Sequence, residues 1–294
     1  MIGRVVKGIG GFYFVHDGEN TVMGKARGNL KRNKELIYVG DIVDFDIDDN
    51  DSDNECVINK VVERRNFLTR PPVSNLDMLV VVFSIVEPDV NYPVIDKLLA
   101  GCELRGISPA ICISKKDLVS PEELESAMSI YRDIYPTVSV NNLTGEGLED
   151  LMEVIRGRNA ALAGPSGVGK STITNHLIDD AMGIVETGSV SDKTGRGRHT
   201  TRHVEIFALG DDTYLYDTPG FTSLDMPEME TLDVRNLFPE FREPAHNCRY
   251  SDCMHLREPE CGVKDAVRAG KISRSRYKSY KLMTDEVRIN NSTY

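Results

Sequence analysis

The sequence predicts a multidomain chain in three parts. They are an N-terminal OB-type β-barrel, a central P-loop α/β domain with motifs in circularly permuted order, and a C-terminal helical domain organised by a Cys/His cluster. Three observations carry this reading. Residues 1–68 are short apolar runs punctuated by Gly, Asp and Asn; residues 69–224 alternate buried-strand and helix patterns around a glycine-rich loop; residues 225–294 are polar and helical, with cysteines gathered near one histidine. A chain of 294 residues with 40% hydrophobic content can bury a core in each part.

In the first part, Gly11-Phe12-Tyr13-Phe14-Val15 and Leu36-Ile37-Tyr38-Val39 read as strands between turn residues. Val39 to Phe45 alternates apolar with polar, as a half-buried strand does. So small a set of short strands closes best as a partly open barrel. The acidic stretch 46–55 lacks calcium-loop spacing and reads as a solvated hairpin.

In the second part, residues 78–85 and 109–113 are continuous apolar runs, the pattern of strands covered on both faces. Between them Ile95, Leu98, Leu99 and Cys102 fall on one helical face. Ser120-Pro121-Glu122-Glu123 combines an N-cap serine, an N1 proline and a capping-box glutamate, so a helix starts there. Residues 147–155 form a further helix, 159–163 a strand, 171–182 a helix, and 203–209 and 213–216 the last strands.

The strand at 159–163 feeds Gly164-Pro165-Ser166-Gly167-Val168-Gly169-Lys170-Ser171, with Thr172 next. Glycines at these places let successive backbone N–H groups converge on phosphate, and the helix that follows adds its positive end. Lys170 neutralises β- and γ-phosphates, and the Ser171 hydroxyl is placed to coordinate Mg²⁺. The motif specifies a nucleoside triphosphate, not its base. Downstream, Asp217-Thr218-Pro219-Gly220 ends a strand, with Asp217 a water-mediated Mg²⁺ ligand and the Gly220 N–H a γ-phosphate sensor. In Gly195-Arg196-Gly197-Arg198-His199-Thr200-Thr201, either Thr200 or Thr201 can close on Mg²⁺; the same basic loop also suits RNA.

Upstream of the phosphate loop, Ser114-Lys115-Lys116-Asp117 follows a strand, where a ligand-facing loop belongs in an open α/β sheet. Asp117 can accept from both N1 and N2 of guanine, and the Lys115 stem can lie over the ring. GTPases usually place Asn where Ser114 stands, and serine is a weaker brace. A second segment, Ser139-Val140-Asn141-Asn142, supplies the remaining guanine-side loop, with Ser139 its candidate residue. An ordinary GTPase carries its base-reading tetrapeptide last; here it comes first. The position after Asp-x-x-Gly, where a GTPase orients water with Gln, is Phe221, so hydrolysis by the free protein is expected to be slow.

In the third part, Cys248, Cys253, His255 and Cys261 offer three thiolates and an imidazole, the ligand set of a closed, structural Zn²⁺ site, with His246 the competing histidine. A metal would offset a weak core. Beyond it Arg268, Lys271, Arg274, Arg276, Lys278 and Lys281 interleave with Tyr277 and Tyr280, a pattern suited to RNA phosphates and bases.

With these motifs in this order, the chain resembles the circularly permuted, ribosome small-subunit-dependent GTPases of bacteria, over nearly its whole length. The resemblance implies an OB-fold RNA-binding domain (1–68), a permuted GTPase domain (69–224) and a zinc-binding helical domain (225–294). It implies binding of GTP and GDP, with Mg²⁺ accompanying GTP. It also implies hydrolysis stimulated by the 30S subunit and its 16S rRNA, and a role in late 30S maturation. His199, beside Thr200 and Thr201, becomes the candidate to position water, with Lys170 acting on the phosphates.

Net charge is −11, but base gathers at 25–34, 64–70 and 264–281, so an RNA partner stays open. No apolar run approaches bilayer length, Met1-Ile2-Gly3-Arg4 lacks a signal-peptide core, and six cysteines with a metal suit a reducing compartment. A cytoplasmic monomer without membrane contact is the expectation. The alternatives are an RNA-binding scaffold with guanine nucleotide as a regulatory ligand, and a P-loop small-molecule kinase, for which no segment suggests an acceptor pocket. Since the chain leaves the GTPase domain just after Gly220, its γ-phosphate switch is expected to lead straight into the zinc domain and to move it.

Overall fold

The computed structural model describes residues 1–28, 30, 36–47, 55–185, 204–218, 221–224 and 229–292. Strands β1 (Ile2–Ile9), β2 (Phe12–His16), β3 (Thr21–Ala26), β4 (Ile42–Ile47) and β5 (Cys56–Val61) run in the order β1-β2-β3-β5-β4, and β4 returns to β1. The result is a closed five-strand barrel. Alternate residues point inward, so Val5, Val15, Val43, Phe45, Cys56 and Ile58 fill its interior.

The run 36–39 is not a strand; only Val39 pairs, by a single bridge to Val73. Gly40 turns the chain at φ 97°, and the fully buried Asp41 carboxylate accepts from Tyr38 N (2.8 Å), Arg64 Nε (2.7 Å) and Ser74 Oγ (2.7 Å). A carboxylate that gathers the local donors displaces ladder pairing, so the strand begins at Ile42. The hairpin β6 (Phe67–Thr69) and β7 (Pro72–Ser74) follows.

The α/β elements are β8 (Met78–Ser84), α1 (Tyr92–Arg105), β9 (Ser108–Ser114), α2 (Pro121–Met128), β10 (Thr137–Ser139), α3 (Leu148–Ile155), β11 (Asn159–Ala163), α4 (Lys170–Val185), β12 (Glu205–Gly210) and β13 (Thr213–Asp217). Strands β8 and β11 are buried at every position, which is why Met78 to Phe83 and Ala160 to Ala163 carry only apolar side chains. Helix α2 starts on the predicted capping box, with Glu123 N donating to Ser120 Oγ and Ser120 N donating to Glu123 Oε2. The last helices are α5 (Arg242–Ala245), α6 (Gly262–Arg268) and α7 (Arg274–Ser292), preceded by 3₁₀ turns at Thr231–Leu237 and Pro239–Phe241.

The chain forms two compact units. One comprises Met1–Leu79, Ile155–Leu162 and Ser171–Phe221. In it β1 continues from the barrel onto β12 (Lys7↔Glu205), β12 pairs antiparallel with β13, and β13 runs parallel to β11. The other comprises Val80–Val154, Ala163–Lys170 and Thr222–Tyr294. There β9 and β10 are parallel, and α1 packs against α7.

The C-terminal region has a firmer core than its composition suggested. Val234, Leu237, Phe238, Phe241, Val263 and Tyr280 close around Ala100 of α1. Large aromatics bury enough area each that few are needed. The basic stripe is divided: Arg268, Lys271, Arg274, Lys278 and Lys281 are exposed, but Arg276 is 1% exposed and Tyr280 fully buried, so these two face no RNA. Arg276 donates from Nη1 to Asp96 on α1 (2.9 Å) and from Nε to Glu240 (2.8 Å). Burial works against its charge, yet the two carboxylates hold the guanidinium well above its ordinary pKa.

Candidate functional site

Strand β11 delivers the chain into the phosphate loop. Gly164 has φ 146°, and a Cβ there would lie 2.0 Å from Val82 O on β8, so only glycine lets the loop lie this close. Val168 is buried and anchors the loop, while Ser166, Ser171 and Thr172 are exposed and Pro165 is half-buried. Lys170, the first residue of α4, curls back so that Nζ donates to Gly164 O (2.7 Å) and Pro165 O (2.8 Å). Its ammonium thus lies over the loop, where burial pushes its pKa down. A phosphate anion would relieve that penalty.

The tetrapeptide follows β9. Ser114 is buried, and its Oγ donates to Phe83 O (3.1 Å). Lys115 adopts φ 55°, and its Nζ donates to Glu87 O (2.6 Å). Lys116 Nζ pairs with Glu146 (2.8 Å). Asp117 lies in the 3₁₀ turn Lys116–Leu118 and is exposed. The guanine-side segment touches the tetrapeptide beyond Ser139, which is half-buried and pairs with Ile113 on β9. Lys116 N donates to Val140 O (3.1 Å), and Lys115 N donates to the Asn142 side chain (2.9 Å). Asn142 was not singled out by sequence reasoning; the doubled asparagine after a short strand was the available signal.

Asp217 ends β13, one residue past Tyr216, which pairs with Ala161 of β11. The strand leading to the phosphate loop and the strand ending at Asp217 therefore present neighbouring carboxyl ends, the usual ligand edge of an open α/β sheet. Phe221 is 1% exposed and its ring offers nothing to a water. His199, Thr200, Thr201 and Gly220 lie outside the described residues.

Cys248, Cys253, His255 and Cys261 bring their donor atoms within 4.8 Å of one another. His255 Nδ1 lies 3.5 Å from Cys248 Sγ and 3.4 Å from Cys261 Sγ, and the two sulfurs are 3.9 Å apart. Tetrahedral bonds of about 2.3 Å place sulfurs about 3.8 Å apart, so the set fits a closed four-ligand metal site. Nδ1, which faces both sulfurs, is the nitrogen placed to ligate, while Nε2 has no hydrogen-bond partner among the described residues. The loop is held from outside: Tyr277 Oη donates to His255 O (2.7 Å), and Glu258 accepts from Met254 N and Leu256 N (both 2.8 Å). His246 is exposed and outside the cluster.

Residues 61–227 match the family model of the RsgA GTPase, and residues 2–54 that of the RsgA N-terminal domain. The chain belongs to the RsgA GTPase family. It is accordingly a GTP hydrolase. The small ribosomal subunit biogenesis GTPase RsgA of Agathobacter rectalis is 41% identical over 300 residues, covering 98% of each chain. The protein of the same name from Caldanaerobacter subterraneus is 41% identical, covering 97% of this chain and 95% of that one. Among solved structures, YjeQ from Thermotoga maritima superposes with TM-score 0.81 at 33% identity, covering 97% of this chain and 98% of that one. YloQ, described as a circularly permuted GTPase, gives TM-score 0.81 at 30% identity, covering 98% and 95%. RsgA membership accounts for the motif order and removes the kinase alternative. Among the described residues no helix is long and apolar enough to cross a membrane.

Proposed function

We propose that this chain is a GTP-driven maturation factor for the small ribosomal subunit, a cytoplasmic monomer that binds 30S particles through 16S rRNA and hydrolyses GTP to GDP when docked. The observation that carries this reading is the 41% identity, over 98% of both chains, to a protein named for small-subunit biogenesis. The domains are an OB-fold RNA-binding domain (1–68), a permuted GTPase domain (69–224) and a zinc-binding helical domain (225–294).

Within the site, Gly164, Pro165, Ser166, Gly167, Val168 and Gly169 wrap the phosphates. Lys170 neutralises them, and Thr172 supports the loop. Asp117 reads guanine, with Ser114, Lys115, Lys116 and Ser139 shaping its pocket. Mg²⁺, when bound with GTP, supplies charge neutralisation between the β- and γ-phosphates, and Ser171, Asp217 and one of Thr200 or Thr201 would hold it. Gly220 senses the γ-phosphate, and His199 orients water where Phe221 cannot. Cys248, Cys253, His255 and Cys261 hold one structural Zn²⁺. Binding GTP orders the switch, and the order favours docking.

The test is multiple-turnover GTP hydrolysis with and without purified 30S subunits, repeated with His199→Ala. Stimulation that is lost in the variant supports the reading. Equal turnover with and without 30S refutes it, and unchanged stimulated turnover in the variant removes His199 from the mechanism.

A further inference from the structure

Ser114 stands where a guanine tetrapeptide ordinarily begins with Asn, and its hydroxyl is already engaged by Phe83 O at 3.1 Å. It is too short to brace anything further away. The bracing amide nevertheless exists, on a different segment. Asn142, 8% exposed, accepts from Lys115 N through Oδ1 (2.9 Å) and donates from Nδ2 to Gly169 O (3.2 Å). One side chain therefore joins the tetrapeptide to the phosphate loop. The approach depends on glycine: a Cβ on Gly169 would lie 2.2 Å from Asn142 Nδ2. Lys115 is fixed at its other end by its ammonium on Glu87 O, so the residue is tied both at its backbone N–H and at the tip of its side chain.

We propose that Asn142 is a positioning residue for guanine nucleotide, supplying from the segment after β10 the brace that Ser114 cannot give. This rests on the nucleotide reading above. A nucleoside diphosphate must meet the phosphate loop and Asp117 at once, and a rigid spacing between the two loops lowers the ordering cost of binding. The physical cost of removing Asn142 is two lost hydrogen bonds and a Lys115 N–H left without its acceptor. The brace acts only on a ligand that spans both loops. A ligand confined to the phosphate loop gains nothing from it.

That difference supplies the test. Affinities for GDP and for inorganic pyrophosphate are measured on the full metal-loaded chain, by fluorescence of a labelled GDP and its displacement. The variants are Asn142→Ala, Asn142→Asp and the double variant Ser114→Asn/Asn142→Ala. Asn142→Asp keeps volume and the acceptor oxygen but turns an oxygen on Gly169 O, so it stands if the alanine variant folds poorly. Both single variants are expected to weaken GDP about 10- to 100-fold, mainly through faster dissociation, with pyrophosphate unchanged. The double variant is expected to recover most of the loss. GDP affinity within twofold of wild type overturns the proposal, as does an equal loss for both ligands or no recovery in the double variant. Wild-type protein that binds ADP as well as GDP would instead overturn the guanine reading on which it rests.

Discussion

Replacing Arg276 by Met removes the charge at the centre of the interface between α1 and α7. The side chains of Arg276, Asp96 and Glu240 are 1%, 0% and 9% exposed. Without the guanidinium, Asp96 keeps Tyr131 Oη at 3.0 Å as donor, while its Oδ2 already has no partner among the described residues. A buried charge stranded in this way costs about 3–5 kcal/mol, against about 0–1 kcal/mol for an exposed pair. Because the chain has several folded parts, a single midpoint is not the right measure. Native-state hydrogen exchange resolves α1 and α7 directly, and a loss of about 3–5 kcal/mol lowers protection there by a factor of about 10²–10⁴. Protection in the barrel strands should hardly change. Replacing all three groups together, Arg276→Met/Asp96→Leu/Glu240→Met, should recover most of the loss, since no charge remains buried. A loss below about 1 kcal/mol in the single variant, the range of exposed pairs, would refute the reasoning.

Gly164→Ala should abolish nucleotide binding measured by equilibrium dialysis, because its Cβ would lie 2.0 Å from the Val82 carbonyl and the loop would have to withdraw from β8. Binding within tenfold of wild type would show that the loop tolerates displacement. Lys170 has its pKa lowered by burial in the free protein, and phosphate raises it again. GDP affinity should therefore fall as pH rises through that lowered value, somewhere below the ordinary lysine pKa, and Lys170→Met should lose this component of the pH profile. The stability sign is consistent: a lysine depressed by folding disfavours the folded state below its folded pKa and ceases to do so as pH approaches the unfolded value. Chelation should release one metal per chain and open the loop that gathers Cys248, Cys253 and Cys261, giving three new reactive thiols, while Cys102 and Cys112 stay fully buried among the α/β elements. Thiol titration with and without chelator reads this; an unchanged thiol count would contradict it.

Most of the architecture was legible because it rests on local patterns. The Ser120 capping box, the apolar run of β8, and the glycines of the phosphate loop each state their geometry within a few residues. What was not legible depends on partners far along the chain. Leu36 to Val39 looks like a strand until the buried Asp41 carboxylate draws in Arg64 and Ser74. Arg276 looks like an RNA contact until Asp96, distant in sequence, is placed beside it. Asn142 carried no motif weight alone, since its importance comes from Lys115 on one side and Gly169 on the other. The Cys/His cluster, by contrast, was legible as a cluster that could hold a metal, since the donor atoms of Cys248, Cys253, His255 and Cys261 need only a short loop to converge.

The Arg276–Asp96 pair joins residues 180 positions apart. During synthesis at about 5–20 residues per second, Asp96 is made roughly 10–40 s before its partner. For that interval its carboxylate has to remain hydrated, and α1 cannot settle into its final seat. The unit that carries the phosphate loop is itself completed only by the chain from Thr222 onward. A truncated or stalled chain would thus hold its nucleotide loops on an unfinished support. Helix α7 thus supplies, late in synthesis, the buried cation that α1 and Glu240 have to wait for.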